Sequence, residues 1–250
     1  MATDSCKMNG TATVLVPLSR LVIAIGVAAV CWFWMFCPLT KGITDFWVTM
    51  FFAELVLITL AFRFHPTLGR EVHAALGCKR WDTMLSQLLL GVVIAAVLWG
   101  IFWVGDKASQ WLFGFARSQV DTIYGMKEGG LIAPRGIGAL LLFVIGPCEE
   151  LFWRGFVQRS FVDRFNARTP DAEWHICGIT LPRGKTLAFV VTAVMYALIH
   201  VWSLNFMLVM AALVAGCVWG LLYFLKPSWL PALVVSHAVW DACVFVVFPI

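Results

Sequence analysis

The chain has 250 residues, 61% hydrophobic and 13% charged, with 13 Trp, 20 Phe and a net charge of +4. Soluble domains run at about 45–50% apolar and about 25% charged. So few charges cannot cover a water-facing surface, which excludes a soluble globular enzyme, a disordered chain and a nucleic-acid binder and leaves a polytopic membrane protein.

Apolar runs of about 20 residues cross a hydrocarbon core of about 30 Å. The first is 14–37, broken only by Arg20 near its start, and reads as an anchor rather than a cleaved signal peptide. The second, 43–64, carries Glu54. Residues 70–82 mix Arg, Lys, His and apolar residues at helical spacing and read as an interfacial helix. The third span is 84–104. Residues 106–130 read as a mixed loop with a short amphipathic helix around 111–115, punctuated by Gly129, Gly130 and Pro134. The fourth span starts near Gly136 and runs through Pro147 to the charged stretch around Arg154. A polar connector, 166–185, carries Pro170 and Pro182. The last spans are 186–201, 206–225 and 230–248, and Gly216 and Gly220 form a small-xxx-small pair that permits close helix approach. The expected fold is all-α. It has seven transmembrane helices, eight if 106–130 dips into the bilayer, plus an interfacial amphipathic helix, in a single membrane domain over 1–250.

With seven spans, one side receives the N-terminus, 63–82, 154–185 and Lys226, which carry 13 of the 18 Lys and Arg. The positive-inside rule then places the N-terminus in the cytoplasm. The eight cysteines contain no C-x-x-C pair and scatter over different spans, so they read as packing residues. His65, His73 and His175 fall in expected loops and read as solvated.

A charge at the bilayer centre costs about 2.5–3.5 kcal/mol on insertion scales, so intramembrane ionisable residues are functional candidates by default. They are Glu54, Glu149, Glu150, Arg154, His200, His237 and Asp241. Glu54 reads as structural, bonded to a neighbouring helix. Glu150 and Arg154 are i, i+4 and share a helix face. Glu149 points about 100° away and has no local partner. His200 follows Tyr196 by one turn, and His237 precedes Asp241 by one turn. Three spans therefore each offer one polar face, and these faces are buried most cheaply against each other around a small polar cavity. A carboxylate and an imidazole beside one water can share its deprotonation. A second imidazole can donate to the oxyanion of a tetrahedral intermediate. Those are the parts of water-driven peptide hydrolysis, with no Ser or Cys nucleophile.

The stretch Gly146-Pro147-Cys148-Glu149-Glu150-Leu151-Phe152-Trp153-Arg154-Gly155 resembles the EExxxR motif of the CAAX-protease and bacteriocin-processing (CPBP, or Abi) family of glutamic-type intramembrane proteases. Tyr196-x-x-x-His200 resembles its second motif, usually Phe-x-x-x-His. His237-x-x-x-Asp241 resembles its third, usually His-x-x-x-Asn. The resemblance marks 136–250 as a CPBP-like catalytic core and leaves 1–135 as less specific spans. It implies that Glu149 and His200 activate the water and that His237 and position 241 form the oxyanion site. Glu150 with Arg154 would hold the first motif in shape, with Glu150 helping to bind substrate and Tyr196 in support. Asp241 departs from the family's Asn: an ionised carboxylate repels an oxyanion, so Asp241 must be protonated or must orient His237 as an imidazolium. The run Glu-Glu-Leu-Phe-Trp-Arg-Gly-Phe is also similar to a bacterial branch linked with exosortase-type sorting.

The resemblance implies an endopeptidase in a bacterial cytoplasmic membrane. It would act on membrane-associated or lipid-modified peptides, without a cofactor and without nucleic acid. Three alternatives stand beside this reading. Glu149, His200 and His237 would make a His₂Glu zinc set, though without the helical H-E-x-x-H signature. Intramembrane Glu, His and Asp also build proton-coupled transporters, against which the missing inverted repeat counts. A non-catalytic immunity protein is the third.

Overall fold

The computed structural model describes residues 15–76, 81–128 and 130–250, without the side chains of 75, 76 and 81. Among them, seven helices are long and apolar enough to cross a membrane. Helix α1 (Leu18–Phe36) and α2 (Phe46–Phe64) form the first pair. Short α3 (Pro66–Leu76) follows, then α4 (Trp81–Leu112) and short α5 (Ala116–Gly125). Helix α6 is one continuous rod, Pro134–Arg168. Helix α7 (Arg183–Leu198) ends in a 3₁₀ turn over Ile199–Ser203, and α8 spans Phe206–Leu225. The last helix, α9 (Leu230–Ala242), continues as a π-helical stretch over Cys243–Val247.

The expected all-α class and span order hold, and several boundaries move. Residues 106–112 complete α4, and the short helix lies at 116–125 instead of 111–115. At ten residues α5 is too short to span. Its Gln119 accepts from the Asn205 amide through its backbone carbonyl and from Met207 N–H through its side chain, and Asn205 also caps α8. The interfacial helix starts earlier, at Pro66, because proline at the first helical position restarts the helix directly after α2; residues 77–80 of the expected 70–82 stretch lie outside the described residues. The expected 166–185 connector contains an antiparallel hairpin, β1 (Glu173–Ile176) and β2 (Ile179–Pro182), whose register pairs Ile176 with Ile179. Its turn residues Cys177 and Gly178 both have positive φ, the geometry of a tight two-residue hairpin turn.

His65 corrects the expectation of a solvated loop. It is buried at the end of α2, and its Nδ1 pairs with the Thr67 hydroxyl at 2.8 Å. Burial, with Arg159 nearby, holds its imidazole below the ordinary value. His73 and His175 are exposed, although on α3 and β1 rather than in loops.

Helix α1 buries Leu21, Ala24, Ala28 and Trp32, a stripe at helical spacing, and packs against α2 and the 3₁₀ turn that ends α7. Helix α4 is the most lipid-exposed span. It meets α9 at Gly91, where a methyl would lie 2.6 Å from the Ala232 carbonyl oxygen. Two π-helical stretches interrupt α6, Leu141–Ile145 and Leu151–Gln158. Such wide turns place more side chains per turn on one level. In the second, Phe152 through Gln158 are all buried.

Candidate active site

Glu149 and Glu150 lie between the two π-helical stretches of α6, directly after Gly146-Pro147. Gly146 sets the distance to α9: a methyl there would stand 2.6 Å from Ala238 Cα. The missing side chain brings the Glu-Glu pair against His237 and Asp241. On the other side, Arg154 donates to the Gly216 carbonyl at 3.4 Å and Gln158 to the Gly220 carbonyl at 2.9 Å. Two residues one turn apart thus meet two glycines one turn apart. The small-xxx-small pair is an opening to backbone oxygens, and it also gives Tyr196 room beside α8.

His237 is the centre of the cluster. Its Nδ1 lies 3.1 Å from Glu150 Oε1, the same oxygen that accepts from Arg154 at 2.7 Å. Its Nε2 lies 3.5 Å from Asp241 and 3.9 Å from Glu149. The ring stacks on Trp219, with centroids 3.9 Å apart and planes 20° from parallel, and the Trp219 indole donates to Ser236. The Arg154 guanidinium lies over the Tyr196 ring and near the Trp219 ring. Glu150 and Arg154 are both essentially inaccessible.

Glu149 finds its partner on another span. The Tyr196 hydroxyl donates to Glu149 Oε2 at 2.7 Å, and Oε1 carries no hydrogen bond among the described residues. The hydroxyl that distinguishes Tyr196 from the usual Phe is therefore bonded to the first carboxylate. The backbone carbonyl of Tyr196 takes His200 Nδ1 at 2.8 Å. A carbonyl only accepts, so Nδ1 carries the proton and Nε2 is the acceptor nitrogen. That nitrogen is filled by the Trp32 indole N–H at 3.2 Å. Glu149, His200, His237 and Asp241, with Glu150, Arg154 and Tyr196, thus form one buried cluster. Glu149 and His200 are joined through Tyr196 and make no direct contact.

Two members were not assigned to the site from the sequence. Trp32 is one of many tryptophans and carries no motif. Glu54, read as structural, lies within electrostatic reach of Glu149 and Asp241, and among the described residues neither of its oxygens has a hydrogen-bond partner, so the expected bond to a neighbouring helix is not made there. In this arrangement both ring nitrogens of His200 have protein partners. Among the described residues no three His, Cys, Asp or Glu are placed to hold a metal together.

A cavity of about 420 Å³ opens beside the cluster. Its walls include Trp34, Phe36, Lys41, Asp45, Trp47 and Asn205, from the end of α1, the start of α2 and the start of α8. Phe36 is shared: it lines the cavity and packs on the His200 ring, with centroids 5.8 Å apart.

Residues 132–243 match the family model described as type II CAAX prenyl endopeptidase Rce1-like. This segment, a little under half of the chain, is similar to that family of membrane proteases, in line with the three motifs it contains. Of the cluster, only Trp32 and Glu54 fall outside it. No curated protein and no solved structure matches the chain.

Proposed function

We propose that this integral membrane protease is a glutamic-type endopeptidase in which Glu149 activates the attacking water. The observation that carries the reading is the convergence of Glu149, His200 and His237, from three spans, on one buried cluster tied together by Tyr196 and Glu150. Glu149 lies with Oε2 3.9 Å from His237 Nε2, and its Oε1 carries no hydrogen bond among the described residues; a water on that carboxylate can lose its proton to it as the water oxygen attacks the peptide carbonyl carbon. The proton then passes from Glu149 to the leaving nitrogen as the C–N bond breaks. His237 has carboxylates opposite both ring nitrogens, the setting of an imidazolium, whose N–H stabilises the oxyanion. Asp241 thereby orients His237 rather than contacting the oxyanion itself. Glu150 and Arg154 hold the first motif in place. His200 joins the base once its Nε2 is released from Trp32.

The substrate is a membrane-associated or lipid-modified polypeptide. The basic-loop count favours a cytoplasmic N-terminus, and the family resemblance a bacterial cytoplasmic membrane. Lys41, Asp45, Met126 and Gly130, which line the cavity, then face the opposite side, so substrate enters from the face that carries fewer basic residues.

The test is the mass of a peptide product. Purified protein is incubated in micelles with a C-terminally farnesylated CAAX-box peptide, beside the Glu149→Gln and His200→Ala forms. Cleavage by the wild type alone supports the reading. Equal cleavage by both variants sinks it. Loss of activity with a chelator, restored by added zinc, would replace the glutamic mechanism with a metal-dependent one.

A further inference from the structure

Among the described residues, Glu54 is the one acid of the cluster that no protein group satisfies: it is fully buried, and neither carboxyl oxygen has a hydrogen-bond partner there. Its position is unusual on packing grounds. Helix α2 buries Trp47, Met50, Ala53, Leu57 and Ala61, an apolar stripe at helical spacing, and Glu54 falls in the middle of it. A leucine would continue the stripe. Helix α2 packs against the Gly146–Glu150 segment of α6, and the ionisable groups within electrostatic reach of Glu54 are Cys31 of α1, Cys148 and Glu149 of α6, and Asp241 of α9. None of them is a cation. A structural carboxylate is normally answered by a cation, a histidine or a free N–H. An intramembrane acid without such a partner, within electrostatic reach of two acids of a hydrolytic cluster, is answered by something the site binds.

We propose that Glu54 is a further active-site residue, which binds the attacking water opposite Glu149. The proposal rests on the endopeptidase reading above and deepens it. Two carboxyl groups from α2 and α6 hold the water between them. Glu149 takes one proton of the water, and Glu54 accepts the second O–H, which leaves the attacking lone pair free and oriented. The site then extends beyond the family-matched segment into the first half of the chain, and α2 is a working wall of it.

The experiment compares wild type, Glu54→Leu, Glu54→Gln and Glu149→Gln on the farnesylated CAAX-box peptide, with thermal melts of each. Leucine fits the stripe, so Glu54→Leu is expected to melt at or above the wild-type temperature. Its kcat is expected to fall about a hundredfold, within the range that proton-transfer and positioning groups supply, with KM changed less than about twofold. Glutamine keeps a donor and an acceptor, so Glu54→Gln is expected to recover most of that loss. Wild-type kcat in folded Glu54→Leu, with Glu149→Gln inactive, overturns the role of Glu54 alone. So does a loss that follows the melting temperature and is not rescued by glutamine. An active Glu149→Gln form, or a wild type that leaves the peptide intact, overturns the endopeptidase reading and Glu54's role with it.

Discussion

The Trp32 indole donates its N–H to His200 Nε2 at 3.2 Å, across 168 positions of sequence. The bond fills the one nitrogen with which His200 could accept a proton from water. The structure is therefore a resting arrangement in which α1 covers the imidazole, and Phe36, one turn further on, packs on the same ring from the cavity side. Replacing Trp32 by Phe keeps an aromatic ring edge-on to His200 and removes the N–H. A neutral hydrogen bond contributes about 1 kcal/mol, so kcat/KM is expected to rise about fivefold in Trp32→Phe, measured on the farnesylated peptide. A fall instead would assign the indole to orienting His200.

Tyr196 does two jobs with two different atoms. Its hydroxyl binds Glu149, and its backbone carbonyl fixes the His200 tautomer. Tyr196→Phe removes only the first. A hydrogen bond to a charged acceptor contributes about 1.5–3 kcal/mol, so loss of the hydroxyl is expected to destabilise the fold by about that much if Glu149 is ionised. The carbonyl and the ring contacts with Arg154 and His200 remain. Activity is therefore expected to stay within about tenfold of wild type, the loss appearing in kcat rather than KM. Full inactivation would mean that the hydroxyl takes part in the chemistry.

What was legible in the sequence is what helical periodicity controls. The Glu150–Arg154 and His237–Asp241 pairs follow from i, i+4 spacing, and Glu149's lack of a partner on its own helix follows from the turn angle. The contacts that complete the site are non-local. Trp32 is selected by the packing of α1 against the end of α7, and no pattern in 14–37 distinguishes it from Trp34. Glu54 was visible as an intramembrane acid, but the partners around it depend on how α2 meets α6 and α9. The π-helical stretch at 151–158 carries no sequence mark, yet it sets the level at which Arg154 and Gln158 reach the glycine carbonyls of α8. The hairpin at 173–182 hid in a polar connector because its strands are four residues long.

Glu150 and Arg154 form a buried pair, and removing one partner strands the other. Arg154→Ala leaves a carboxylate with only His237 for company and is expected to cost about 3–5 kcal/mol. Arg154→Met combined with Glu150→Gln removes both charges at similar volume. That double variant is expected to melt higher than Arg154→Ala in the same detergent, although His237 loses its anchor and the protein stays inactive. A double variant no more stable than Arg154→Ala would show that the guanidinium's contacts with Gly216 and the Tyr196 and Trp219 rings matter more than the charge pair.

Asp45 gives the fold an acid-sensitive clasp at the mouth of the cavity. One carboxyl oxygen accepts the Leu131 N–H at 2.7 Å, and the other caps α2 by accepting the Val48 N–H at 3.0 Å. These bonds, the one from Leu131 foremost, hold its carboxyl below the ordinary carboxylate value. A folded-state pKa below the unfolded one gives stability that is complete above the unfolded value of about 3.9 and is lost as pH falls through the folded value. An N-cap Asp contributes about 0.5–2 kcal/mol, and solvent around the carboxyl places the expected gain at the lower end. Asp45→Ala is therefore expected to melt a few degrees below wild type at pH 7. As pH drops below about 4 and through the lowered folded value, the wild type should lose its advantage and the two melting curves should converge. A gap that stays unchanged as pH is lowered would trace the stabilisation to something other than the ionised carboxylate.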